Sequence, residues 1–185
     1  MKRTFTAVAI LAALGLALVP AACIKSKTSD ELKAAMEILG VETKWVSKYY
    51  QVWPPLLTLV PVVSFKVKNI SDKPLTYINF NAVFVTRGDK ENLGDCYLAA
   101  IRGTPVPPDG TSETIVLKSN YGVEGKNLAH FQSNPVWKPV RVRLFAQSKG
   151  SPFVLLGEWD VSKTIDFKEP EPVGLGDKPG ASVKK

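Results

Sequence analysis

The sequence predicts a mainly β fold: an antiparallel β-sandwich of about seven strands, immunoglobulin-like in size, with one short N-terminal helix. Three observations predict it. From Val41 to Val161 the apolar residues recur mostly at every second position. Turn sequences such as Asn69-Ile70-Ser71-Asp72-Lys73-Pro74 and Pro107-Pro108-Asp109-Gly110 separate the alternating runs. The second phase of most runs is polar, which suits antiparallel sheets with one wet face rather than a parallel sheet covered on both sides.

The elements follow in order. Thr28-Ser29-Asp30-Glu31 is a capping box, with acids in the first helical turn. The helix is expected to run through Leu32, Ala35, Met36 and Leu39, with Gly40 as its stop. In the next run Val41, Thr43, Trp45, Ser47, Tyr49, Gln51 and Trp53 share one side, and Pro54-Pro55 ends it. Leu57, Leu59, Val63, Phe65 and Val67 form a second inward row. Ile78, Phe80, Ala82 and Phe84 form a third, within a strand over 75–87. Residues 96–101 suit a short edge strand, and the Pro107–Gly110 turn leads into a further strand over 112–117. Residues 119–135 are polar and weakly patterned, a long connection with a helical turn near 128–131. Val140, Val142, Leu144 and Ala146, then Phe153, Leu155, Gly157, Trp159 and Val161, give the last two inward rows.

The N-terminus has the order of an export signal. Lys2 and Arg3 precede an apolar run over 5–19, then Pro20-Ala21-Ala22-Cys23. Ala21-Ala22-Cys23 resembles the lipobox of bacterial lipoproteins, with Pro20 where Leu is usual. The resemblance implies cleavage before Cys23 and lipidation of its thiol, which would tether the chain to the periplasmic side of a bacterial membrane. The alternatives are cleavage near Ala21 or Ala22, which releases a soluble periplasmic or secreted protein, and retention of the segment as an anchor. The expected organisation is a signal peptide over 1–22, a tether and short helix over 23–40, a sandwich over 41–167 and a disordered tail over 168–185.

The chain has 24 Lys and Arg against 17 Asp and Glu. Without Lys2 and Arg3 the balance is 22 basic to 17 acidic, a net charge of +5. The basic residues are scattered and do not interleave with aromatics, so no nucleic-acid partner is expected. An anionic lipid or polysaccharide surface suits this charge better. The two cysteines, Cys23 and Cys96, could form a disulfide if Cys23 is not lipidated.

Val67-Lys68-Asn69-Ile70-Ser71-Asp72-Lys73-Pro74-Leu75 and Pro107-Pro108-Asp109-Gly110-Thr111-Ser112 resemble the turns of bacterial exported immunoglobulin-like β-sandwich domains of the FxLYD type and related families. The chain carries this strand–turn–strand frame without the Phe-x-Leu-Tyr-Asp run. The resemblance implies an immunoglobulin-like fold outside the cytoplasm and no particular reaction.

Catalytic groupings are sparse. His130 is the sole histidine, no Gly-x-Ser-x-Gly elbow is present, and no cofactor is expected. Asp89, Glu91, Asn92 and Asp95 could ring a weak calcium loop but read more simply as a solvated turn. Glu158 and Asp160 share a strand face, the wet one. No metal site is therefore assigned. Trp45, Tyr49, Trp53 and Trp159 fall in core phase, whereas Tyr50 and Trp137 are the candidate exposed, binding aromatics. The function expected is a non-catalytic exported, lipid-anchored binding or accessory domain of the cell envelope, with a protein or envelope component as partner. The alternative is a periplasmic carbohydrate-binding module or a carboxylate-dependent hydrolase. A binding face could lie on an edge strand or on residues 119–135.

Overall fold

Thr28 caps α1 (Ser29–Ala34). Its hydroxyl accepts from the Glu31 N–H, and the Glu31 carboxylate accepts from the Thr28 N–H at 2.8 Å. The computed structural model describes residues 28–88, 91–133 and 137–170, without the side chains of residues 132 and 133. Residues 1–27, with the expected signal and Cys23, and residues 171–185 of the expected tail lie outside this range.

The helix expected to reach Leu39 stops at Ala34, and β1 (Met36–Gln51) starts two residues later. A short helix has little stability of its own. Residues 36–39 instead pair with residues 66–69 of β2 (Leu56–Asn69), satisfying their backbone groups in a ladder. Gly40, expected as the helix stop, has φ +58° and sits where the β1–β2 register shifts between Leu39 and Glu42. It is the glycine of a β-bulge, where a left-handed backbone suits a residue without Cβ.

β2 is the central strand of the first sheet. It pairs with β1 on one side, and with β5 (Ile115–Lys118) and then β6 (Val123–Gly125) on the other. β9 (Ile165–Asp166) lies parallel to β1, and the other pairings are antiparallel. The second sheet has the order β4–β3–β7–β8, formed by β3 (Ile78–Thr86), β4 (Asn92–Ile101), β7 (Val140–Ser148) and β8 (Val154–Asp160). A sheet ordered β5–β2–β1 facing one ordered β4–β3–β7–β8 is an immunoglobulin-like sandwich. The described residues hold nine strands rather than about seven. The additions, β6 and β9, have three and two residues, too short to show alternation in sequence.

The core lies between the sheets. Leu57, Leu59, Val63, Phe65 and Val67 meet Ile78, Phe80, Phe84, Val142 and Leu144. Phe65 and Phe80 touch edge to face across the gap, their centroids 5.2 Å apart. A second aromatic group closes one end: Trp137 packs edge-on against Trp45 at 5.7 Å and against Phe131 of α2 (Leu128–Ser133) at 5.8 Å. Residues 168–170 of the expected tail are described, and there the Glu169 carboxylate accepts from the Leu128 N–H.

Asn69 holds the other end. Its side chain is fully buried. Its amide donates to the carbonyls of Lys73 and Val106, both at 2.9 Å, and its Oδ1 accepts from the Ser71 N–H at 3.0 Å and the Ser71 hydroxyl at 2.8 Å. The Asn69 backbone also exchanges hydrogen bonds with Gly110 and Asp109. One residue thus fastens the β2–β3 turn to the loop that leads into β5. Asn69→Leu keeps the volume but leaves several of these groups without partners. A loss of about 2–4 kcal/mol is expected, measured by urea unfolding. A loss under about 1 kcal/mol would show that water replaces the network.

Candidate functional site

The register of β1 decides which aromatics face solvent. Ser47 pairs with Leu59 and Tyr49 with Thr58, so Lys48 is an extra residue in the strand. An inserted residue reverses the alternation. Trp45 points inward and is 1% exposed, whereas Tyr49, four residues on, points outward and is 49% exposed. Trp53 lies beyond the strand in the turn before Pro54-Pro55 and is 85% exposed. Both rings were expected in the core. The extra residue at Lys48 reverses the alternation before Tyr49, and Trp53 lies in a turn outside strand phase.

The two aromatics expected at the surface lie inside. Tyr50 is half-buried, packed on the core with its ring 5.3 Å from that of Phe167. Trp137 is buried against Trp45 and Phe131. The reversal at Lys48 turns Tyr50 inward. Trp137 precedes β7, so strand phase does not set its direction, and its ring packs against Trp45 and Phe131.

The outward-facing Tyr49 lines a groove of about 350 Å³ with Lys48, Thr58, Asn120, Tyr121, Gly122 and Glu124. The outer surface of the first sheet forms its floor, where Tyr49 pairs with Thr58 and Thr58 with Glu124. Residues 120–124 form the facing wall, so part of the weakly patterned segment meets the β1–β2 hairpin here. Gly122 makes this approach feasible: a Cβ there would stand 1.9 Å from the Leu59 carbonyl oxygen.

Local hydrogen bonds fix the walls. The Ser119 hydroxyl donates to the Tyr121 carbonyl at 2.7 Å and accepts from the Tyr121 N–H at 3.3 Å. The Asn120 N–H donates to the Asp95 carbonyl, and Lys48 Nζ donates to the Asn120 carbonyl. The Lys48 ammonium also lies 5.9 Å from the centre of the Tyr121 ring. The Tyr49 hydroxyl bonds Gln51, whose amide donates to the Pro54 carbonyl at 3.0 Å. Tyr121 is 69% exposed. The groove thus presents two phenol rings on braced backbone, with a hydroxyl, an amide and a carboxylate between them.

The other candidates are arranged differently. Glu158 and Asp160 lie in a ladder of ions on the second sheet. Arg143 meets Glu158 at 2.8 Å, Arg141 reaches both acids, and Arg87 meets Asp160 at 3.5 Å. His130 Nδ1 accepts from the Lys126 N–H at 3.2 Å, within its own turn. Asn92 Oδ1 accepts from the Gly94 N–H at 2.9 Å, and Asp89 lies outside the described residues. Among the described residues no group of three or more His, Cys, Asp or Glu side chains could hold a metal ion. Cys96 is half-buried in β4 opposite Ala82, packed on the core, and Cys23 lies outside the described range. Tyr97 and Phe153 form a second exposed aromatic pair on the second sheet, 6.4 Å apart. A cleft of about 610 Å³ separates the end of β4 from β5.

No family model matches the chain, and no curated protein matches it. Some solved structures are similar to it at low identity and low TM-score. A Northeast Structural Genomics Consortium target is 8% identical, with a TM-score of 0.42, covering 81% of this chain and 98% of its own. The ligand-binding region of serine-glutamate repeat protein A of Enterococcus faecium is 13% identical, with a TM-score of 0.28, covering 70% of this chain and 99% of its own. Neither likeness bears on what this chain binds.

The core and groove aromatics should separate in stability. Trp137→Ala should cost about 3–5 kcal/mol, as for other buried aromatics. Tyr121→Ala should stay within about 0.5 kcal/mol of the parent. Urea unfolding of the two variants checks both, and an inert Trp137→Ala would contradict its place in the core.

Proposed function

We propose that the protein is a non-catalytic binding domain of the bacterial cell envelope, exported and tethered by a lipid on Cys23. Lys2, Arg3, the apolar run over 5–19 and Ala21-Ala22-Cys23 support export and tethering. The immunoglobulin-like order of the strands agrees with the exported domain class that the Asn69 and Pro107 turns resemble. The arginines bound to Glu158 and Asp160 favour a binding role over a carboxylate-dependent hydrolase.

The observation that carries the reading is the span of β1. Its 16 residues start next to α1, near the proposed tether, and end at the exposed Tyr49–Trp53 hairpin. At roughly 3.3 Å per residue the strand covers up to about 50 Å. The aromatic groove is then held at the end of the domain away from the membrane, where a partner can reach it.

Fractionation of cells expressing the full chain tests the tether. Wild type should collect with membranes and Cys23→Ala in the soluble fraction. In the wild type Cys96 should react with a maleimide after denaturation without reductant. A soluble wild type with both thiols oxidised would replace the tether by a Cys23–Cys96 disulfide.

A further inference from the structure

The chemistry of the hairpin groove narrows the ligand. Tyr49 and Tyr121 offer flat apolar faces whose phenol rims can still hydrogen-bond water. Exposed rings beside scattered polar groups suit a ligand that is apolar on its faces and hydroxylated around its edge. A pyranose is such a ligand: its axial C–H bonds lie against a ring while its hydroxyls meet side chains. The volume, about 350 Å³, is near the small end of the roughly 300–1,000 Å³ usual for ligand sites. A short stretch of a longer chain fits it better than a bulky folded partner.

Charge in the groove narrows the class further. The Lys48 ammonium is engaged by the Asn120 carbonyl and the Tyr121 ring. These contacts fix the position of the ammonium and leave its charge in place. Glu124 places a carboxylate in the same groove as the Lys48 ammonium, so the groove carries one charge of each sign and suits a neutral ligand better than an ionic one. Thr58 and Asn120 supply neutral polar groups between the rings. A lipid surface is a poorer match, because inserting this face would take Lys48 and Glu124 out of water.

We infer that the groove between Tyr49 and Tyr121 binds a neutral β-linked saccharide chain, with the two rings stacking on successive sugars and Thr58 and Asn120 bonding their hydroxyls. Trp53, beyond the groove at the hairpin tip, extends the aromatic surface. The inference rests on the proposal that this domain binds a ligand and is independent of the Cys23 tether.

The test is titration calorimetry of the full-length chain, purified in detergent, with hexamers of β-1,4-linked glucose and of β-1,4-linked N-acetylglucosamine. At least one hexamer should bind. Tyr121→Ala and Tyr49→Ala should each weaken binding about tenfold or more. Tyr121→Phe, which keeps the ring, should bind as the parent does. Tyr97→Ala, which removes an exposed ring on the second sheet, should do the same. Circular dichroism of each variant separates lost binding from lost folding. Absence of binding by both hexamers overturns the inference, as does binding that survives loss of both groove tyrosines. Binding to vesicles of phosphatidylglycerol and phosphatidylethanolamine that depends on these tyrosines, with neither hexamer bound, would reassign the surface to lipid. A wild-type chain that fractionates as soluble yet binds a hexamer would overturn the tether alone.

Discussion

A single buried amide sets the geometry of one end of the sandwich. Asn69 ends β2 with its side chain inside the protein, where an unmet donor or acceptor is costly. It meets that cost by bonding two carbonyls with its Nδ2 and two donors with its Oδ1. Those bonds close the turn to β3 and bring the 106–110 loop alongside. The neighbouring Ile70 N–H donates to the Ala35 carbonyl at 3.0 Å, which joins the helix end to the same knot. The chain crosses from one sheet to the other here. The facing of Phe65 and Phe80 depends on the angle at which it does so. Few other side chains could serve: Asp lacks the donors, and Leu lacks both donors and acceptors.

The sheets were legible where alternation ran without interruption. Phe65 and Val67, Phe80 and Phe84, and Val142 and Leu144 face inward as their spacing requires. Alternation failed where a residue is added to a strand. Gly40 looks like a helix stop because both a helix C-terminus and a β-bulge use a glycine with positive φ. Lys48 carries no such mark; its extra place is visible only from the Ser47–Leu59 and Tyr49–Thr58 pairings. Two-residue β9 depends on the position of β1 and leaves no pattern of its own.

The candidate groove was less legible for the same reason. Tyr49 and Tyr50 exchange roles through one inserted residue, so a correct count of aromatics gave the wrong surface. Trp53 had an available signal: Pro54-Pro55 places it in a turn, and a turn residue is not bound by strand phase. Tyr121 lies between Asn120 and Gly122 in the weakly patterned segment. Nothing local shows that Gly122 lets this segment press against Leu59. The groove joins residues more than sixty positions apart, and its walls become neighbours only after β6 has found β2.

The length of β1 also has a mechanical meaning. Tyr49 belongs to this strand and Trp53 follows it with one residue between, as α1 precedes it with one residue between. If the chain is held before α1 and a ligand pulls at the hairpin, tension passes along one continuous stretch of covalent backbone. The ladders to β2 and β9 lie beside that line and are loaded in shear, not peeled open pair by pair. The second sheet and the core between the sheets lie off the direct path. A domain loaded in this way carries tension along β1 without first being pulled apart.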